Sequence, residues 1–259
     1  MQIVYLVPGA MAKGPLGEKE LRRRESLLQN WAFDGTSVTV VDVPESVSSI
    51  ESAYEELLAA AASIETIRRL EKEGVDAVII GCFGDPGMEA ARELVTMPVI
   101  GPGEASLLLA AHLCHRMSVI SVFQTLEATH RNQAYKAGVL DKLASVRGID
   151  VPVLELMSDP DATFDRIVEV GRRAIEEDGA EALVFGCMTM SFLGVAPKLS
   201  SALGVPVINA AQAALKAAES TVSLGLSHSK RAFATPPKYR DEVQPVAPAS
   251  SGARSLAEH

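Results

Sequence analysis

The sequence predicts an α/β protein of two pseudo-twofold-related lobes, each a roughly four-stranded parallel sheet flanked by helices. Three observations predict it. Short β-branched runs alternate with longer helical segments from one end to the other. The strand-like runs are apolar on both faces, as expected where helices cover both sides of a parallel sheet. The chain also contains an approximate copy of itself: Gly74-Val-Asp-Ala-Val-Ile-Ile-Gly-Cys82 aligns without a gap with Gly179-Ala-Glu-Ala-Leu-Val-Phe-Gly-Cys187.

Taken in order, strands are expected at 2–7, 37–42, 76–81 and 97–101, then at 117–122, 151–156, 181–186 and 205–209. The clearest helices are 51–73, 103–114, 125–145, 160–178 and 210–224. Each copy of the repeat is preceded by an acidic helix end, 71–73 and 176–178. Downstream, Pro98-Val-Ile-Gly aligns with Pro206-Val-Ile-Asn, each before an Ala-rich helix, and upstream the strand at 2–7 corresponds to that at 117–122. The first lobe then spans 1–114, completed by the C-terminal helix 210–226, and the second spans 115–209. Residues 227–259 are rich in Pro, Ser and Ala with no periodic apolar face, and are expected to be a largely disordered tail. His228-Ser-Lys230-Arg231 would dock on the body before order is lost.

Composition narrows the function. The chain has 259 residues, 47% of them hydrophobic, ordinary for a globular protein. Its longest apolar runs are too short to cross a bilayer. The first apolar run lacks a basic flank and a cleavage site, so it reads as the first strand of a cytoplasmic protein rather than a leader. With 24 basic against 33 acidic residues the net charge is −9, which argues against nucleic acid as a partner. A small anionic substrate remains compatible, because a local site can oppose the global charge. Cys82, Cys114 and Cys187 are odd in number and widely spaced, unlike a secreted disulfide framework and like reduced thiols of a cytosolic enzyme.

Cys82 and Cys187 each follow an apolar strand directly, which puts both thiols at the carboxyl end of a parallel sheet, where open α/β sheets bind ligands. After Cys82, Asp85 is a natural helix N-cap and Pro86 a natural first helical residue. After Cys187, Thr189 and Ser191 offer hydroxyls. Two helix N-termini converging on the site would favour a thiolate, a carboxylate or an enolate. A thiolate on one face of an acidic carbon and a thiol on the other can invert that carbon in either direction, and thiols titrate close enough to neutrality to do it. A free cysteine often serves only as a small buried hydrophobe. Two of them at equivalent strand ends are better explained as a reactive pair.

The run 81–94, Gly-Cys-Phe-Gly-Asp-Pro-Gly-Met-Glu-Ala-Ala-Arg-Glu-Leu, resembles the first-cysteine motif of hydantoin racemases in the Asp/Glu/hydantoin racemase superfamily. The segments 98–106, 185–188 and 225–231 are similar to that family's following segment, second-cysteine site and C-terminal signature, and the likeness covers about 1–235. It implies racemisation of 5-substituted hydantoins or related compounds, no metal or other cofactor, a small-molecule substrate and a homo-oligomer. It assigns Cys82 and Cys187 as the acid–base pair. Substrate would be bound by Phe83, Gly84 and Asp85, by Met188 and Thr189, and by the ends of the first strands, Pro8, Gly9 and Ala10 with Phe123, Gln124 and Thr125. One departure stands out: where the family has an Asn-Pro-Asn-Ser/Thr-like sequence, this chain has Val7-Pro-Gly-Ala-Met11, removing polar donors near the substrate.

Other signals are set aside. Gly81, Gly84 and Gly87 lack dinucleotide spacing, and no P-loop is present. His112, Cys114 and His115 do not share one helix face, so no metal site is expected. Arg22-Arg-Arg24 and Arg172-Arg173 read as solvated helix faces. Competing functions are Asp/Glu or allantoin racemisation, maleate isomerisation, one-cysteine decarboxylation of arylmalonates, and a two-lobed module that binds a small ligand without turnover. A redox protein is disfavoured because no Cys-x-x-Cys is present.

Overall fold

The computed structural model describes residues 1–243. Strands β1 (Gln2–Val7), β2 (Ser37–Asp42), β3 (Ala77–Ile80) and β4 (Val99–Ile100) form a parallel sheet in the order β2-β1-β3-β4. Strands β5 (Met117–Ser121), β6 (Leu143–Gly148), β7 (Ala182–Phe185) and β8 (Val207–Ile208) form a second in the order β6-β5-β7-β8. The identical order makes the two lobes topological copies, with β3 and β7, the repeat strands, at equivalent interior places. Every residue of β3, β5 and β7 is buried, so these strands show no alternation.

Nine helices connect the strands among the described residues: α1 (Gly17–Trp31), α2 (Ala53–Lys72), α3 (Met88–Leu94), α4 (Pro102–Leu113), α5 (Glu127–Lys136), α6 (Pro160–Asp178), α7 (Met188–Ser191), α8 (Ala196–Leu203) and α9 (Ala210–Ser223). Local chemistry sets several ends. Ser52 caps α2 by accepting the Glu55 N–H. Asp159 caps α6 ahead of Pro160, and Gly179 closes it in the left-handed region at φ 70°. The two sheets share one core, in which Tyr5 and Ile79 of the first join Val119 and Val184 of the second. Helix exchange seals it: α9 packs on β3 and β4, while α4 packs on β7 and β8. The alanines of α9 let these elements approach closely, since Ala210, Ala211, Ala214 and Ala218 are fully buried.

Two sequence expectations are corrected. Residues 151–156 are not a strand. The edge of the second sheet is β6, which begins inside the region read as the helix 125–145 and runs on to Gly148. That helix stops at Lys136, and Gly138 turns the chain at φ 72°. As an edge strand β6 carries polar residues, with Ser145 bonded to Ser118 (2.8 Å) and Arg147 paired with Asp178 (2.6 Å), so it lacks an apolar run. Pro152 has no N–H for a ladder, and Val153–Glu155 forms a 3-10 turn whose Val153 N–H donates to Glu51 (2.8 Å).

The tail is corrected in part. Residues 227–243 run along the first lobe: the Val99 N–H donates to His228 Nε2 (3.0 Å), and Lys230 Nζ donates to the carbonyls of Arg92 (2.7 Å) and Glu93 (3.0 Å). The remainder, 244–259, lies outside the described residues. Among the described residues no helix is long and apolar enough to cross a membrane.

Candidate active site

Gly81 and Gly186 end the repeat strands, and packing requires glycine at both. A Cβ at Gly81 would sit 2.6 Å from the Tyr5 ring and 2.8 Å from the Leu6 carbonyl. At Gly186 it would sit 2.6 Å from Val119 and 3.1 Å from the Ile120 carbonyl. Each glycine N–H donates to that same neighbouring carbonyl, Leu6 at 2.6 Å and Ile120 at 2.8 Å. The next residue, Cys82 or Cys187, is thereby held at the carboxyl edge of its sheet, and both cysteines line one cavity between the lobes.

Of the binding residues expected from sequence, Pro8, Gly9, Phe83, Gly84, Met188 and Thr189 line this cavity. Ala10, Phe123, Gln124, Thr125 and Asp85 do not. Gln124 is used inside its own lobe, donating to the Val146 carbonyl (3.0 Å) and accepting from the Gly148 N–H (3.1 Å), and Phe123 packs on the second lobe's core. The second lobe instead supplies Val122, Leu126, Thr129 and His130, together with Val153 and Leu154 from the segment mistaken for a strand.

The Cys82 turn is irregular. No helix follows at once; α3 begins at Met88 after an N-cap glycine. Asp85 does not cap it. In the left-handed region at φ 52°, Asp85 turns its carboxylate to the start of α4 and accepts the N–H groups of Gly103 (2.9 Å) and Glu104 (2.8 Å). Burial pushes the Asp85 carboxyl up to about 7 despite those two bonds. The Phe83 carbonyl accepts from Gln133 Nε2, and Gln133 Oε1 meets His130 Nδ1 (2.8 Å). Because the amide nitrogen is committed to Phe83, the amide oxygen accepts from His130 Nδ1–H, leaving Nε2 to accept from the Ser121 hydroxyl (2.9 Å). Burial holds His130 below its ordinary value, which fits this neutral tautomer. Burial, with Cys187, Glu56 and Asp85 adding to it and the Gly84 N–H opposing it, pushes the Cys82 thiol well above the ordinary range.

The Cys187 turn enters a helix directly, with Cys187 as N-cap of α7. The backbone N–H groups of Thr189 and Met190 and the Thr189 hydroxyl act on its thiol from the start of that helix. Burial still raises the thiol, but these donors and the Arg24 guanidinium oppose the rise. Arg24 is 1% exposed, which corrects the expectation of a solvated face at 22–24. Its Nη2 donates to Thr189 Oγ1 (3.1 Å), its Nε to Glu20 Oε1 (2.9 Å), and its guanidinium lies 4.7 Å over the Phe192 ring. A signal was present in the sequence: Arg24 falls on the same helix stripe as Leu21 and Leu28, both buried. Beside Arg24 lies the Tyr5 hydroxyl, buried and without a hydrogen-bond partner among the described residues.

Two thiols sharing one cavity, each positioned by a rigid strand end, can exchange protons with opposite faces of a bound carbon acid. The model of the Asp/Glu/Hydantoin racemase family matches residues 18–218. The chain is 38% identical over 206 residues to the hydantoin racemase of Pseudomonas sp. (strain NS671), covering 80% of this chain and 82% of that protein. The solved allantoin racemase from Klebsiella pneumoniae matches with a TM-score of 0.82 at 34% identity, covering 91% of this chain and 94% of that one. The allantoin racemase from Pseudomonas fluorescens matches with a TM-score of 0.83 at 32% identity, covering 92% and 97%.

Proposed function

The chain belongs to the Asp/Glu/hydantoin racemase family, and from that premise we propose that it racemises 5-substituted hydantoins by proton transfer between Cys82 and Cys187. The observation that carries the reading is the pair of thiols at equivalent strand ends facing one cavity. One cysteine, as thiolate, takes the proton from C5, and the C–H electron pair moves onto the adjacent carbonyl oxygen as an enolate. The other cysteine, as thiol, returns its own proton to the opposite face and is left as the thiolate. The enantiomer formed is consumed by the same steps in reverse. The pair titrates jointly, so it holds one proton between the two sulfurs in the working state.

The cavity wall bears on the substituent. Met11, Leu16, Ile50, Leu126 and Val153 give it an apolar side, and Met11 belongs to the segment that departs from the family pattern. This favours a hydrocarbon group at C5 over a ureido group, although solved relatives carry the name allantoin racemase.

The test is to incubate single enantiomers of 5-benzylhydantoin and of allantoin in D₂O, following optical rotation and loss of the C5 proton against an enzyme-free control. Catalysed loss of both signals is expected, faster for the benzyl compound. Cys82→Ser and Cys187→Ser are each expected to lower racemisation by about 10²–10⁴-fold, the range for one positioned acid or base. Ligand binding without loss of rotation would replace the racemase with a binding module.

A further inference from the structure

The two sulfurs are not equivalent, and the difference has a source outside both cysteine turns. We propose that Arg24 is a positioning residue that makes Cys187, rather than Cys82, the thiolate of the resting protein, acting through the Thr189 hydroxyl. The inference rests on the two-cysteine reading above and extends it to which enantiomer meets a ready base.

The geometry is a relay. Thr189 Oγ1 accepts from Arg24 Nη2 (3.1 Å), which occupies a lone pair and leaves the single hydroxyl hydrogen free for the Cys187 sulfur two residues back. Arg24 is locked for this role. Its Nε is held by Glu20, its plane covers Phe192, and its side chain is 2% exposed. Glu20 does not cancel the charge, because its carboxylate is shared with Arg23 (2.7 Å). Two guanidiniums on one carboxylate leave one positive charge beside Cys187.

Every element packed on the pair points the same way. Cys187 lies near Arg24 from α1 and near the hydroxyl and backbone N–H of Thr189 and the Met190 N–H from α7, while the neutral Tyr5 hydroxyl from β1 lies beside both sulfurs. Cys82 faces the Gly84 N–H, Glu56 from α2 and Asp85 from its own turn, with neutral His130 on the cavity wall from α5. A cation and three donors thus surround one sulfur, against two acids and one donor at the other. Since two thiolates in one cavity repel, the proton settles on Cys82. The resting form then acts first on the enantiomer whose C5–H faces Cys187.

The test needs no substrate. The full chain is alkylated with iodoacetamide from about pH 6 to about pH 10, spanning ordinary thiol titration, and initial rates at each cysteine are read by peptide mass spectrometry. Access alone favours Cys82, since Cys187 is the more buried of the two. The expected result is the reverse, with Cys187 reacting first and its rate profile lying at lower pH. Thr189→Val keeps the shape and the backbone N–H while removing the relay. It is expected to lower the Cys187:Cys82 rate ratio near neutrality by about tenfold, equivalent to one pKa unit. Arg24→Met should lower it further, and Arg24→Lys should restore part. If Arg24→Met fails to fold because Glu20 loses a partner, Thr189→Val carries the test alone. Wild-type reaction first at Cys82, or an unchanged ratio in Thr189→Val, would overturn the assignment. Failure to turn over hydantoins with this alkylation pattern intact would instead overturn the substrate reading.

Discussion

The two cysteine turns hold equivalent places in equivalent sheets, yet they are built from opposite materials. After Cys187 the chain enters α7 at once, with Cys187 itself as the N-cap; after Cys82 a glycine-rich turn intervenes and α3 begins only at Met88. The helices that follow the edge strands show the same reversal. Helix α9 caps itself, with Asn209 Oδ1 accepting from Ala211 (3.0 Å) and Gln212 (3.1 Å), and Asn209 Nδ2 reaching out to the Ser191 carbonyl at the end of α7 (2.8 Å). Helix α4 starts from Gly101, which has no side chain to offer, and Asp85 of the Cys82 turn caps it instead. In both lobes the cysteine turn is bolted to the start of the next helix. In one the helix supplies the bolt, and in the other the turn does. The pseudo-symmetry preserves the tie while the chemistry of the tie changes, and the change puts the Asp85 carboxyl beside Cys82.

The largest stability effect should come from the position where the two bolts differ most in space. Gly103 and Ala211 are equivalent, each second in its helix. A methyl at Gly103 would collide with the Phe83 carbonyl and the Gln133 amide, and would lie 2.9 Å from Asp85 Oδ2. Gly103→Ala is therefore expected to cost about 1–3 kcal/mol, as overpacking does. The reciprocal Ala211→Gly should cost only about 1 kcal/mol of helix propensity. Urea unfolding of the two variants checks the pair. Equal costs would mean that the Cys82 turn yields freely and is not bolted.

This asymmetry marks how far the sequence could be read. The gapless repeat around Cys82 and Cys187 carried the two equivalent strands and the place of each thiol at a strand end, because strand periodicity is a local property. Polar ties between lobes are not local. Arg24 reaches Thr189 across 165 residues and Gln133 reaches Phe83 across 50, and neither pairing leaves a spacing signal. Asp85 was read as the cap of the helix beside it because capping is ordinarily local, whereas its left-handed φ sends it to α4. The edge strand β6 was missed for a related reason: a half-wet edge needs no apolar run.

The next effect follows from the Asp85 bolt itself. Its carboxyl rises from 3.8 to about 7 in the folded protein, chiefly by burial, with Glu104 adding to the rise and Arg92 opposing it. Between those values the native Asp85 holds more protons than in the unfolded chain, so its contribution to stability is greatest below about pH 4 and falls as pH rises to about 7. The slope is at most about 1.4 kcal/mol per pH unit. Asp85→Asn keeps an acceptor for the Gly103 and Glu104 N–H groups and removes the titration. Relative to Asp85→Asn, the wild type should therefore lose unfolding free energy steadily across that window. A constant difference would show Asp85 ionised throughout.

The smallest effect lies at the sheet edges, where the lobes differ again. The edge N–H of Val207 in β8 donates to Ser200 Oγ (2.9 Å), which does not titrate here, but that of Val99 in β4 donates to His228 Nε2 (3.0 Å). Burial, with Arg92 nearby, lowers the His228 pKa from 6.5 to about 4. Now the native state holds fewer protons than the unfolded chain between those values, so this contribution is present above about pH 6.5 and is lost as pH falls through about 4. Its sign opposes that of Asp85 over nearly the same window, so the two contributions partly offset each other in the wild type. Asp85→Asn should unmask a rise in stability with pH, and His228→Gln, which keeps an acceptor for Val99, should unmask the fall. His228 is only half-buried and the smaller of the two. The deciding measurement is the double variant, whose pH profile should be flatter than that of Asp85→Asn alone. Identical slopes would mean that His228 titrates as it does in the unfolded chain, and that the C-terminal segment does not close the β4 edge in solution as Ser200 closes β8.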